Sequence, residues 1–289
     1  MATVQEQAYA AGLFDGEGHI DTLARMRMAI KMTDRDAVDF MKDVFGGNMY
    51  QWNDTDTGRS VYEWRASGWD GAVEVAKQIL PYSVTKKHQL EVVVGCYDYT
   101  SKYGYPNEVR RIASTQLRAL RAPAVHPAFW DLETMGLDWL TLPILTGGVE
   151  VNRTLHLYNR LDGGERSLVM SIRDALESAP YSVGWNSHRF DVPYLNSRLL
   201  YWDERPAFLG SHISGDVVFD KKFGNKRRTS LKNAAIQLGL IDEEAYKTEI
   251  DWGVWNAADM GDYAAVSEVL KHNRMDVILT RRVYEAITA

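Results

Sequence analysis

The chain has 289 residues, of which 45% are hydrophobic and 25% are charged, and its formal net charge is −6. These values predict a globular protein of two ordinary domains, and its apolar runs are too short to span a membrane. The single cysteine, Cys96, excludes an internal disulfide framework and a Cys-rich zinc site, and with no secretory signal in view we expect a cytoplasmic, reduced setting.

The first half, residues 1–122, predicts an α+β domain with the order helix, strand, strand, helix, strand, strand, helix. A short basic helix and a linker follow, and we place the domain boundary near Ala122. Thr33 or Asp34 caps the second helix, and Gly46-Gly47 ends it. The elements are helices at 7–13, 35–45 and 71–80, strands at 19–21 and 25–32, and a hairpin of strands at 49–52 and 60–67.

The second half, residues 123–289, begins with strands and continues with interleaved helices. This order describes a mixed α/β layer fold, so the fold class of the whole chain is α/β. The predicted strands are 128–132, 144–151, 154–158 and 181–185, and the helices are 168–178, 192–202, 230–238 and about 263–287.

Two carboxylates stand two residues apart at the end of the first strand of this half. Asp131 and Glu133 follow the apolar residues Phe129 and Trp130, and residues i and i+2 of a strand point to the same face. Two adjacent carboxylates repel each other unless cations lie between them. The pair therefore predicts a metal site.

Two later segments add ligands of the same kind. Asp191 lies between a predicted strand and a helix, and Asp276 follows His272 by four residues, one turn along the last helix. Hydrolysis of a phosphodiester by two Mg²⁺ or Mn²⁺ ions about 3.5–4 Å apart needs several oxygen ligands and a group that orients or deprotonates water. The four carboxylates supply the ligands, and His272 is the candidate for the water.

Three segments carry a family resemblance: Asp131-x-Glu133, Gly184-Trp185-Asn186-x(3)-Phe190-Asp191-x-Pro193 and His272-x(3)-Asp276-Val277. They resemble the three exonuclease motifs of the DEDD superfamily, over roughly residues 128–285. The resemblance implies an RNase H-like fold and 3′→5′ removal of nucleotides with two divalent ions. It also assigns Asn186 and Phe190 to the DNA strand.

Two features of this half allow more than one interpretation. His272 occupies the spacing at which this branch of the superfamily normally has Tyr, so it either preserves the water-orienting role or marks an impaired enzyme. Lys226, Arg227 and Arg228, with Lys221 and Lys222, flank a Gly-Asn turn. That segment is either a solvated loop or a loop that binds phosphate groups at the substrate cleft.

The segment Tyr9-Ala-Ala-Gly-Leu-Phe-Asp-Gly-Glu-Gly-His-Ile20 is the second strong signal. Ala8, Ala11 and Gly12 give a helix face that another helix can approach closely. The acidic turn that follows, with Asp15 and Glu17, ends the helix. Because the chain has one copy, two side-by-side tips that share a metal site require a homodimer.

This segment resembles the LAGLIDADG homing endonucleases, and further matches extend over about residues 6–121. They include Phe45-Gly-Gly47, Tyr62-Glu-Trp-Arg65 and Leu80-Pro-Tyr82-x(3)-Lys86-Lys87. The resemblance implies that Glu17 binds metal, that Asp15 is mainly structural and that Lys86 stabilises charge near the cleaved phosphate. It also implies that one sheet face enters the DNA major groove through Arg25, Arg27 and Lys31, which are otherwise a solvated strand face.

Together these features predict a bifunctional, metal-dependent nuclease: a LAGLIDADG-like domain that recognises or cleaves a duplex site, and a 3′→5′ exonuclease that acts on DNA ends. Such a fusion suits a phage or another mobile element. The alternative is a non-catalytic DNA-binding protein or RNA-splicing cofactor with a degenerate exonuclease scaffold. RNA in place of DNA as the substrate also stays open.

Overall fold

The computed structural model describes residues 2–21, 26–55, 58–66, 68–121, 125–138, 140–226, 228–242 and 250–288. The chain divides into two compact units, Met1–Leu120 and Arg121–Ala289. Each unit contains its own sheet, and helices flank both sheets. The α/β class predicted from the sequence is confirmed. Among the described helices, none combines the length and apolar character needed to cross a membrane.

The first unit is built on a four-stranded antiparallel sheet with the order β1-β2-β4-β3. Its buried face carries Ile20, Met28, Ile30 and Trp64, all at most 1% exposed. The elements are α1 Val4–Glu17, β1 Gly18–Asp21, β2 Arg27–Met32, α2 Arg35–Phe45, β3 Asn48–Asn53, β4 Ser60–Arg65, α3 Gly68–Ile79, a 3₁₀ turn Leu80–Tyr82, α4 Lys87–Tyr103 and α5 Pro106–Ala119.

Local sequence explains the ends of α2. The Asp34 side chain accepts hydrogen bonds from the backbone amides of Asp36 and Ala37, which caps the helix. Gly46 and Gly47 follow with φ of 69° and 93°, a region that favours glycine. A Cβ on Gly47 would lie 2.5 Å from the Arg65 carbonyl oxygen, so glycine is what lets this turn lie against β4.

Three expectations for the first unit were wrong. Helix α1 continues through residues 15–17, where the sequence predicts a turn that ends the helix. Ala11 is fully buried in its own domain, so it is not part of the bare helix face. The region after the predicted αββαββα core holds two long helices, α4 and α5, where one short helix and a linker were expected.

The second unit contains a five-stranded mixed sheet with the order β7-β6-β5-β8-β9. Strands β5, β6 and β7 are antiparallel, whereas β8 and β9 run parallel to β5. The elements are β5 Ala128–Thr134, β6 Ile144–Val151, β7 Thr154–Asn159, α6 Gly164–Ser178, β8 Ser182–Gly184, α7 Asp191–Tyr201, β9 His212–Ser214, α8 Gly215–Phe223, α9 Leu231–Gln237, α10 Trp252–Asp259 and α11 Tyr263–Thr288.

Three of these elements, β9, α8 and α10, have no counterpart among the sequence predictions. Strand β9 has three residues, too few for an alternating pattern to be recognised. Lys221 and Lys222 lie in the last turn of α8 instead of in a loop, and the Lys222 ammonium donates to the Ile287 carbonyl oxygen at 2.6 Å. Helix α8 therefore fixes where the basic loop after it begins.

Two adjacent glycines on β6 bring helices close to both faces of the sheet. A Cβ on Gly148 would lie 2.7 Å from Asn273 Oδ1 and 2.8 Å from Val277 Cγ2, both on α11. A Cβ on Gly147 would lie 2.3 Å from Ile172 Cδ1, on α6. Glycine inside a strand often marks such a close approach. Helix α11 thus lies directly against the strands that carry the acidic pair.

Candidate metal centre

Strand β5 and helix α11 together present most of the candidate ligands. Along β5, Asp131 and Glu133 alternate with the buried Leu132, so the two carboxylates share the face that α11 covers. On α11, His272 and Asp276 are one turn apart and lie on one side of the helix. The local periods of strand and helix therefore aim both pairs into the same interface.

Glu133, His272 and Asp276 form the tightest cluster. One ligand atom from each lies within 4.8 Å of the other two, and His272 Nε2 is 3.8 Å from Glu133 Oε1. The side chains of His272 and Glu133 are 19% and 13% exposed, so the cluster is partly open to solvent. Oxygen and imidazole ligands at these separations fit a divalent cation.

Asp191 lies near this cluster on another element, but it is not one of the three clustered residues. It is the first residue of α7 and is 4% exposed, and its Oδ1 accepts the backbone N–H of Leu132 at 3.2 Å. Burial raises the pKa of the Asp191 carboxyl to about 7, and the nearby charge of Asp276 acts in the same direction, against the hydrogen bond from Leu132. A cation at this position would relieve the cost of ionising Asp191, so the donor set fits a divalent metal.

Asp131 is held by a buried amide. Asn273 on α11 is fully buried and donates through Nδ2 to both the carbonyl oxygen and Oδ2 of Asp131, at 3.1 and 2.8 Å. The same side chain lies over Gly148, which faces Asp131 across β5 and β6. Asn273 therefore locks the acidic strand to the helix that carries His272 and Asp276.

Helix α10 places an aromatic ring beside His272. The Trp255 ring lies 6.3 Å from the His272 ring in an edge-to-face arrangement. Contacts between α10 and α11 are extensive, and Arg160 ties the end of α10 in place through an ion pair with Asp259 at 2.7 Å. The imidazole of His272 thus lies close to both the Glu133 carboxylate and the Trp255 indole.

The segment between β8 and α7 is held by an ion pair in which the carboxylate is buried and the arginine is exposed. Asn186 has a left-handed backbone with φ of 59°, and its amide donates to Asp216 Oδ1 at 3.1 Å. Asp216 is 2% exposed and pairs with Arg228 Nε at 3.1 Å, and Arg228 also donates to Asn186 Oδ1. Arg228, predicted to contact DNA, is therefore already engaged in holding the turn that leads to Asp191.

Two other residues predicted to contact the strand lie near this segment. Phe190 is half-buried, and its ring lies 5.3 Å from that of Tyr194. Lys226 is exposed. Arg227 lies outside the described residues.

Near this segment is a half-buried histidine, His212. Ser182 and Ser187 hydrogen-bond the two ring nitrogens of His212, at 2.7 and 2.9 Å. Burial lowers the pKa of His212 to about 3, with the charge of His188 acting in the same direction. The ring therefore stays neutral and serves as a structural support below the turn.

In the first unit, the acidic end of α1 packs against the segment 83–86. Asp15 accepts hydrogen bonds from Ser83 Oγ and from the amides of Val84, Thr85 and Lys86, between 2.6 and 3.2 Å. Burial acts to raise the pKa of Asp15, but these hydrogen bonds together lower it. Asp15 therefore fixes the loop, whereas Glu17 is exposed at the end of the helix.

Lys86 lies against the same helix end. Its ammonium donates to the carbonyl oxygens of Phe14 and Asp15, at 2.9 and 2.6 Å. Burial lowers the pKa of Lys86, while the charges of Asp15 and Glu17 oppose that change. A cation at a helix C-terminus is favourably placed, and here the negative charge of Glu17 also acts on it.

One face of the β1–β4 sheet is polar and aromatic. Register places Lys31, Glu63 and Tyr50 side by side on it, and Lys31 Nζ lies 5.1 Å from the Trp52 ring. Arg27 lies on the same face of the sheet, two residues before Ala29 in β2, and is half-buried. Arg25 lies outside the described residues.

Several residues of the site were missed by sequence reasoning. Asn273 and Asp216 act through contacts between distant segments, for which the sequence gives no local signal. The Gly147-Gly148 pair was a usable signal, because two glycines inside a predicted strand suggest a close approach. Trp255 lies on a helix that was not predicted.

Comparison with known families identifies the second unit. A model described as the RNase_H superfamily matches residues 128–288, more than half of the chain. The chain belongs to the RNase H superfamily, in agreement with the mixed sheet and the acidic site. A search of curated proteins gave no significant match.

Solved structures give further likenesses. A family B DNA polymerase from the archaeon Pyrobaculum calidifontis is 10% identical, with a TM-score of 0.51, and the alignment covers 94% of this chain and 45% of the polymerase. This likeness concerns the fold alone, and the chain spans less than half of that polymerase. The homing endonuclease I-CvuI in complex with its target is 16% identical and covers 42% of this chain and 85% of the endonuclease, with a TM-score of 0.34, too low to establish a shared fold.

Proposed function

We propose that the second unit is a metal-dependent exonuclease that removes nucleotides from the 3′ end of a DNA strand. The cluster of Glu133, His272 and Asp276, with the buried Asp191 near enough for the charge of Asp276 to raise its pKa, carries the proposal. Carboxylates as close together as these repel each other unless divalent cations neutralise them. Membership of the RNase H superfamily favours hydrolysis of a phosphodiester.

The residues of the candidate site have different roles. Glu133, Asp191, Asp276 and Asp131 would hold two Mg²⁺ or Mn²⁺ ions, which when bound would neutralise charge on the phosphate and make water more acidic. His272 orients the attacking water through its ring and accepts a proton from it. Water adds to phosphorus as its proton passes to His272, and the bond to the 3′ oxygen of the preceding nucleotide breaks. That oxygen takes up a proton, so the products are a nucleoside 5′-monophosphate and a strand one nucleotide shorter that ends in a 3′-hydroxyl.

The first test uses single-stranded DNA carrying a label in its 3′-terminal nucleotide, incubated with the purified protein and Mg²⁺. We expect release of labelled mononucleotide, and a loss of more than about a hundredfold in Glu133→Gln. Loss of a partner outside the ligand shell costs only about 10–100-fold. EDTA should abolish the release in the same way.

The His272 position separates this proposal from a degenerate scaffold. His272→Tyr supplies the residue usual at this spacing, whereas His272→Phe removes every polar atom of the ring. A wild-type protein that is inactive but gains activity in His272→Tyr would identify an impaired enzyme. Undiminished release by Glu133→Gln would reject the assigned site.

A second activity is proposed for the first unit: recognition, and cleavage, of a specific duplex site in the manner of the LAGLIDADG proteins. The supporting observation is the end of α1, where Glu17 is exposed and the Lys86 ammonium binds the Asp15 carbonyl oxygen within electrostatic reach of the Glu17 charge. The open polar sheet face with Lys31, Arg27 and Trp52 supplies groups suited to a major groove.

Selection from a random duplex library tests this second activity. We expect enrichment of one site, cut by the wild type with Mg²⁺ and bound but not cut by Glu17→Gln. Enrichment with no cleavage by either protein would favour a binding module or a splicing cofactor. No enrichment of any duplex would contradict a sequence-specific role.

A further inference from the structure

A cavity lies beside the Asn186 turn, outside the carboxylate cluster. Its volume is about 590 Å³, within the range of about 300–1,000 Å³ that ligand sites occupy. One wall is the segment 186–189, which leads directly to Asp191, and the other is the loop around Asn225, Lys226 and Arg228. The cavity and the metal centre therefore share one segment of chain.

The floor of the cavity is a fixed polar network. Asp216 is buried and binds Ser214, the amide of Asn186 and the guanidinium of Arg228. Asp220 accepts hydrogen bonds from Thr229 Oγ1 at 2.7 Å and from Asn225 Nδ2 at 3.3 Å, which hold the loop that forms the opposite wall. These contacts form the cavity in the absence of a ligand.

The charge of the cavity is positive in an acidic chain. Asp216 is matched by Arg228, and Asp220 is hydrogen-bonded but not ion-paired within the described chain. Arg189 and Lys226 line the same cavity, and neither forms an ion pair with another of the described residues. With three cations against two carboxylates, the cavity carries one net positive charge, whereas the whole chain carries −6. Such a local excess attracts a phosphate.

We propose that this cavity is a subsite for a nucleotide of the substrate strand upstream of the scissile phosphate, and that Arg189 and Lys226 bind its backbone phosphate. Asn186, Asn225 and Ser214 supply polar atoms for the rest of the nucleotide. Arg228 is instead a positioning residue, because Asp216 and Asn186 already occupy its guanidinium. The subsite rests on the proposed exonuclease function. It would make the enzyme prefer a polynucleotide substrate over the ester of a single nucleotide.

The test compares two substrates that share the reacting group. One is a 12-nucleotide single-stranded DNA, and the other is the p-nitrophenyl ester of thymidine 5′-monophosphate, which has no upstream nucleotide. We expect the ratio of kcat/KM for the oligonucleotide to kcat/KM for the ester to fall at least about tenfold in the double variant Arg189→Gln/Lys226→Gln. Most of this change should be in KM for the oligonucleotide.

Arg274→Gln is the matched control, because Arg274 is an exposed cation on α11 that does not line the cavity. It should leave the ratio within about twofold. The dependence of oligonucleotide affinity on salt should also be weaker in the double variant, because each lost phosphate contact reduces the slope by about 0.7 for a single strand. An unchanged ratio of the two kcat/KM values, including the case of equal losses on both substrates, would overturn the subsite.

Binding separates failure of the subsite from failure of the exonuclease. Fluorescence anisotropy with a labelled 12-nucleotide strand in Ca²⁺ measures affinity without requiring hydrolysis. If the wild type cleaves neither substrate, the exonuclease proposal fails, while weaker binding by the double variant still supports the subsite. Equal binding by wild type, double variant and Arg274→Gln would reject it.

Discussion

At the scale of single residues, Asp191 combines burial with a neighbouring negative charge. Its carboxyl is 4% exposed, and burial raises its pKa to about 7, with the charge of Asp276 adding to the effect. The folded protein without metal therefore holds the proton of Asp191 more tightly than the unfolded chain does. A bound cation would reverse this balance, because it favours the ionised form.

Stability should depend on pH through this group. The stabilisation from Asp191 is fully present below the ordinary pKa of about 3.8 and is lost as pH rises through about 7. We expect the free energy of unfolding of the metal-free wild type, compared with Asp191→Asn, to fall by up to about 4 kcal/mol between pH 4 and pH 8. Urea unfolding in EDTA at several pH values measures the difference.

Magnesium supplies the control for this prediction. At pH 8 we expect Mg²⁺ to raise the urea midpoint of the wild type, because a ligand that binds only the folded state stabilises it. Asp191→Asn should gain clearly less. A pH dependence that is the same in both proteins would show that Asp191 is not the group that titrates.

At the scale of elements, the position of α11 decides whether the site forms. The helix carries His272, Asn273 and Asp276, and it lies against β6 at Gly148. The opposite face of β6 meets α6 at Gly147. Each of these neighbouring glycines thus sets how closely a different helix approaches the sheet. Substitutions at the two positions can therefore be compared directly.

Gly148→Ala should displace α11 and reduce activity. The new Cβ would lie under 3 Å from Asn273 and Val277, and overpacking of this kind costs about 1–3 kcal/mol. We expect a loss of mononucleotide release of about tenfold or more, measured at a temperature at which circular dichroism shows the variant folded.

Gly147→Ala is the matched control for that change. Its Cβ meets the end of the Ile172 side chain on α6, so it should destabilise the fold by a similar amount. Because it does not push on α11, the folded protein should keep most of its activity. Equal losses of activity in the two variants would argue against a specific role for the spacing between α11 and β6.

At the scale of the whole molecule, the exposed face of α1 is the feature that bears on assembly. Ala8, Gly12 and Gly16 are exposed and spaced by four residues, so they form one bare stripe. Nothing in the described chain lies within 4 Å of a Cβ built on Gly12 or Gly16. The expected homodimer would use this stripe and would bring two Glu17 side chains together.

Sedimentation equilibrium tests the assembly. We expect the wild type to dimerise and Gly12→Leu to remain monomeric, because a large side chain on the stripe keeps two helices apart. Asp43→Leu, an exposed change on α2, serves as the control and should not alter the association. A monomeric wild type, or a dimer that survives Gly12→Leu, would exclude this interface.

The sequence by itself determined the class of fold and the residue types of the site. The alternating pattern of β5 and the four-residue spacing of His272 and Asp276 are local, so both could be predicted, as could the caps of α2 at Asp34 and Gly46. Short or irregular elements such as β9 and α10 gave no periodic signal. Their existence depends on the sheet and helix against which they pack.

Only the tertiary structure decided which side chains meet. Asn273 binds Asp131 across 142 positions of sequence, and Asp216 reaches Asn186 across 30. It also turned Arg228 toward an acidic partner and buried Ala11 in its own domain. The physical reason is that strand and helix periods fix the direction of a side chain, while its partner depends on packing between segments that are distant in the chain.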